Sequence, residues 1–150
     1  MIRDEIKSAT IAAMKSGDKE TTATLRLASA AIKNRDIEAR TGGAPKEDDA
    51  LVTEVLQKMI KQRRESAELY RKGGREDRAR AEESEIAIIE RFLPKQLDDS
   101  EAEARIRAII SETGATSMKD MGKVMALVKE RLGASIEPAR ASGLVKAALS

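Results

Sequence analysis

Residues 49–72, DALVTEVLQKMIKQRRESAELYRK, decide the fold. Leu51, Val52, Val55, Leu56, Met59 and Ile60 recur as adjacent pairs three and four apart, which on a helix makes one broad apolar stripe. A half-buried strand would alternate apolar and polar residues, and this stretch does not. The spacing predicts a long helix from about Asp49 to Lys72, and the KGG at residues 72–74 supplies a natural C-terminal stop. A stripe this wide needs equally aliphatic partners on both sides in the chain.

Both sides provide them. Downstream, REDRARAEESEIAIIERFLP (75–94) resumes a helix that Pro94 ends, with Ile86, Ile89 and Leu93 facing inward. Upstream, TGGAPKEDD (41–49) joins two glycines, a proline and a cluster of acids, and reads as an exposed loop. Before it, Ile2, Ile6, Ala9 and Ala13 repeat at helical spacing, Gly17 stops that helix, and Asp18 caps a second one carrying Leu25, Ala28, Ile32 and Ala39 through Arg40. After it all, LPKQLDDSEAE (93–103) is a hinge and a fresh start, with Asp98, Asp99 or Ser100 as cap and Glu103 spaced for a capping box with Ser100. Ile106, Ile109 and Ile110 mark the next helix up to Gly114, Ser117 caps another that runs to Leu132 and Gly133, and Pro138 opens the last.

The expected fold is all-α in two small domains: four helices in residues 1–94 and a three-helix tail in residues 95–150. Composition agrees. Apolar residues make up 41% of the 150 but aromatic ones only 1%, so the core must come from Ala, Leu, Ile, Val and Met, side chains suited to helix packing. With no Cys and no His, the chain lacks disulfides, thiolate nucleophiles, imidazole bases and the usual zinc ligands. No run is long and apolar enough to span a bilayer. Asp4 and Glu5 interrupt what a signal or transit peptide would keep apolar or free of acids, and a reducing cytoplasmic location is expected.

Charge gives little away globally, since 28 cations against 26 acids leave a formal +2. Locally it does more. SMKDMGKVMALVKERL (117–132) places Met118, Met121, Met125, Val128 and Leu132 as a seam against neighbouring helices, which directs Lys119 and Lys123 outward. Lys129, Arg131, Arg140 and Lys146 add positive charge, while only Asp120, Glu130 and Glu137 oppose it after Thr116. Lys119 and Lys123, with Arg140 and Lys146 in support, are the candidate phosphate-facing residues; the plain alternative is a solvated surface. Gly122 and Lys123 do not make a phosphate loop, because Ser117 and Val124 stand where that motif needs Gly and Ser or Thr.

A second basic run, from Lys58 to Arg80, pairs within itself at four-residue spacing through Lys61 and Glu65, Arg64 and Glu68, Glu68 and Lys72, and Glu76 and Arg80. The acids Glu82, Glu83, Glu85 and Glu90 offer partners across a helical hairpin. Adjacent acids such as Asp48 with Asp49 and Glu82 with Glu83 suit helix ends better than acid–base work, and no serine elbow supports a Ser–Lys dyad. No catalytic, cofactor or metal site is expected.

TLRLASAAIKNRDIEAR (24–40), QRRESAELYRKGGRED (62–77), EESEIAIIERFLPKQL (82–97) and MGKVMALVKERLG (121–133), in this order, resemble a YqeY-like protein of the GatB/YqeY family along essentially the whole chain. One departure is Ile136 and Glu137, where relatives usually carry Ala-Asp. The resemblance implies helical and tail domains similar to those of the GatB subunit of aminoacyl-tRNA amidotransferase, whose tail contacts tRNA while its chemistry resides elsewhere. The expected function is non-catalytic binding of tRNA or another structured RNA through the basic tail. The alternatives are a part in amidotransferase-like carbon–nitrogen ligase activity with glutamine as amido-nitrogen donor, and a protein-interaction adaptor.

Overall fold

The computed structural model describes residues 1–45 and 47–150, residue 134 by its backbone only. Among these residues lie seven α-helices, two short 3-10 helices and no strand, so the protein is all-α. They form two compact units, Met1–Leu93 and Pro94–Ser150.

The first unit contains α1 (Ile2–Ser16), α2 (Lys19–Ala39), α3 (Asp48–Lys72) and α4 (Glu76–Glu90). Gly17, at φ 76, ends α1 in the left-handed conformation that only glycine takes cheaply. The Asp18 N–H then reaches the Ala13 carbonyl at 2.9 Å, and the Asp18 carboxylate at once caps α2 through the Thr21 N–H at 3.1 Å. Two residues thus turn the chain back on itself. Leu25, Ala28 and Ile32 of α2 meet Ile6 of α1 and the whole predicted stripe of α3, all of them buried, with Ile86, Ile88 and Ile89 of α4 completing the core.

α3 and α4 form the most extensive helix pairing in this unit. Ala67 and Ala79 are buried where larger side chains would hold the helices apart. Ion pairs then cross the hairpin from Arg63 to Glu85 at 3.2 Å, from Arg64 to Glu90 at 3.4 Å, and from Arg71 to Glu83. Of the pairs expected within a helix, Lys72 with Glu68 and Arg80 with Glu76 are present. α4 stops at Glu90 instead of continuing to Pro94. Proline disfavours helical backbone at Leu93, and the Phe92 and Leu93 N–H groups fold back onto the Ile89 and Glu90 carbonyls in tighter turns at 3.1 and 3.2 Å. Part of the loop expected at 41–49, Lys46, lies outside the described residues.

The second unit contains α5 (Asp99–Thr113), a 3-10 helix (Met118–Asp120), α6 (Met121–Leu132), a second 3-10 helix (Gly133–Ser135) and α7 (Pro138–Leu149). Asp98 is the cap of α5, accepting the Glu101 N–H at 2.8 Å, which leaves Ser100 inside the first turn and sets aside its expected capping box with Glu103. Entry is set one step earlier because the Leu97 N–H is already tied to the Ser135 carbonyl at 2.8 Å. Ala102, Ile106, Ile109, Val124, Val128, Leu132, Ala141, Val145 and Leu149 make the core. Ile136, the departure from the family pattern, is 2% exposed and belongs to that core.

Candidate nucleic-acid interface

The surface in question starts at a cap. The Asp120 carboxylate reaches back to the Thr116 N–H at 3.1 Å and the Ser117 N–H at 3.4 Å, so the acid nearest Lys119 and Lys123 is committed to holding the helix start. Residues 118–120 are wound as a 3-10 helix with fewer residues per turn than α6, which rotates Met118 off the stripe that follows. The expected methionine seam is corrected accordingly. The buried line is Val124, Val128 and Leu132, flanked by half-buried Met121 and Met125, while Met118 is 41% exposed. Lys119 and Lys123 are both exposed, one turn apart.

The remaining cations of the tail divide sharply. Arg140 is half-buried at the start of α7, where it donates to the Leu97 carbonyl at 2.9 Å and to the Asp99 carboxylate at 3.1 Å. Its work is to hold the segment entering α5. Arg131 forms a two-point pair with Glu112, which raises the guanidinium pKa and holds that carboxyl below its ordinary value. Among the described residues, Lys119, Lys123, Lys129 and Lys146 are exposed and have no carboxylate within ion-pairing reach. Of the four sequence candidates, then, the fold leaves Lys119, Lys123 and Lys146 exposed and engages Arg140 within the unit.

Gly122 lies between Lys119 and Lys123 in sequence and is exposed, and among the described residues nothing beyond its chain neighbours and its own helix backbone comes within 4 Å of where a Cβ would sit. A glycine inside a helix costs ~1 kcal/mol relative to alanine, and packing in this chain does not offset that.

A groove of about 550 Å³ runs along α3 and α4, floored by Ala67, Ile86 and Ala87, but its Arg71 faces Glu83 and its Arg64 faces Glu90. Such walls are already neutralised. Glu82, raised above its ordinary pKa by partial burial and by Glu85, stands apart from that groove. Among the described residues, no three acidic side chains gather as a metal site requires, and no helix is long and apolar enough to cross a membrane.

Sequence reasoning missed Arg3. Its guanidinium takes both carboxylate oxygens of Asp36 at 2.7 and 2.8 Å and both of Asp48 at 2.7 and 3.2 Å, joining the start of α1, the end of α2 and the start of α3. No local spacing signals it, because the partners are 33 and 45 residues away.

Comparison with known proteins adds a family to this geometry. The family model described as "Yqey-like protein" matches residues 3–149. A protein of Vanderwaltozyma polyspora named "Altered inheritance of mitochondria protein 41, mitochondrial" is 30% identical over 127 residues, covering 80% of this chain and 64% of the relative. The protein of the same name from Meyerozyma guilliermondii is 33% identical over 116 residues, 73% of this chain and 57% of its own length. An uncharacterized protein of Schizosaccharomyces pombe is 34% identical over 90 residues, 60% of this chain and 70% of its own. The chain thus spans less than two thirds of the length of the two relatives with mitochondrial names.

Proposed function

We propose, starting from the fact that this chain belongs to the YqeY-like protein family, that it is a non-catalytic RNA-binding protein whose helical tail engages tRNA or a similarly structured RNA. The observation that carries the reading is that Lys119 and Lys123, four residues apart, are exposed and without a carboxylate partner among the described residues, while Arg131 and Arg140 of the same unit are engaged. Two free ammonium groups at that spacing suit successive phosphates. Resemblance of the tail to the tRNA-contacting tail of GatB supports the same conclusion. Lys146 adds to the field around this face, and Arg140 contributes by keeping α5 and α7 in place.

Binding of this kind is electrostatic and weakly selective, because no aromatic platform lies in the tail to stack bases. The test is a titration of an unmodified tRNA transcript over a salt series, wild type against Lys119→Glu plus Lys123→Glu. The double variant is expected to bind weakly at low salt and to show a salt slope smaller by about two, one unit for each lost phosphate contact. Equal binding at every salt concentration would make the face a solvated surface.

An adaptor role is the second reading, favoured by the exposed Ile11 and Met14 on α1. A protein partner that stays bound after nuclease treatment is its signature. Any share in glutamine-dependent carbon–nitrogen ligase chemistry belongs to partner subunits in our reading, and the purified chain is expected to release no ammonia from glutamine. The cytoplasm remains the proposed location; the mitochondrial names belong to the relatives.

A further inference from the structure

Gly122 occupies a place where this chain does not ask for glycine. Its φ lies outside the left-handed region that Gly17 and Gly114 occupy, and a Cβ would meet open space. Helix propensity therefore favours alanine here. What the missing side chain changes is the outer surface, where exposed Lys119 precedes Gly122 by three residues and exposed Lys123 follows it directly.

We infer that Gly122 is the point of closest approach between this protein and the sugar–phosphate backbone of its RNA, a contact that rests on the RNA-binding reading above. A polyanion crossing α6 at Gly122 can lie against the helix backbone, where each lysine reaches a flanking phosphate without stretching. A methyl group at this position holds the strand outward and lengthens both contacts at once. A glycine can also admit a second protein helix, which would have to bring its own acids to Lys119 and Lys123, since neither has a carboxylate partner among the described residues. The two exposed lysines near the glycine favour a polyanion.

Gly122→Ala and Gly122→Leu in the full chain test this with two readouts, thermal stability and titration of an unmodified tRNA transcript at fixed low salt. Gly122→Ala is expected to raise Tm by a few degrees while weakening binding by roughly tenfold, the effect of one lost contact to a charged group. Gly122→Leu weakens binding further. Opposite signs in stability and affinity separate a contact from a folding defect. If Gly122→Ala binds as wild type while Lys119→Glu plus Lys123→Glu loses binding, the inference fails and the RNA reading stands. If the double charge reversal also binds as wild type, the RNA reading fails and takes this inference with it. A Tm below wild type for Gly122→Ala would show that the fold itself needs the glycine, and would overturn the inference.

Discussion

Arg3 shows how much one side chain can organise. Asp36 is held below the ordinary carboxylate pKa, first by its hydrogen bond to Arg3, and Arg3 is raised in turn by Asp36 and then Asp48. A carboxyl with a depressed folded pKa contributes stability above its unfolded pKa and loses it as pH falls through the folded value. Stability from the Asp36 pair is therefore complete at neutral pH and fades below about pH 4, where an unperturbed Asp titrates. Arg3→Ala is expected to cost ~1 kcal/mol at neutral pH, a modest figure because the side chain is 36% exposed, and to flatten the acid limb of a Tm-against-pH curve. A variant whose acid limb matches wild type would show the clamp to be idle. Thr24 tests the opposite case. It is 1% exposed and its hydroxyl finds no partner among the described residues, so Thr24→Val is expected to raise stability by ~1 kcal/mol in urea unfolding.

At the scale of elements, the two glycines of α1 and α6 carry opposite predictions. Gly17→Ala forces a Cβ into φ 76 and is expected to lower stability by about 1–2 kcal/mol, whereas Gly122→Ala raises it. One urea titration of each measures the difference. The α3–α4 hairpin depends on small residues instead: Ala79 is fully buried, and Ala79→Leu is expected to cost about 1–3 kcal/mol by overpacking. The sequence named α3 almost residue for residue, since its stripe is long and strictly periodic. It named α1, α2 and α7 by their stops and caps. It misjudged the start of α6, because three residues of 3-10 winding move Met118 by an angle that counting at 3.6 residues per turn does not contain.

For the whole molecule, Pro94–Ser150 has its own core and is the smaller unit, a size at which folding alone is marginal. We expect residues 94–150, expressed separately, to keep helical circular dichroism at low temperature, melt below the full chain, and retain salt-sensitive tRNA binding. A fragment that stays folded without binding would move the interface to the first unit. The sequence by itself determined the helical class and the aliphatic character of the core, because periodicity and composition are local quantities. Tertiary structure decided which charges remain free. Arg140 stood in support of the lysines until Leu97 and Asp99, 43 and 41 residues away in the chain, were brought against it, and the space around Gly122 was visible only in the fold. Charge and space at a surface depend on what folding carries there from distant sequence, and no local pattern encodes that.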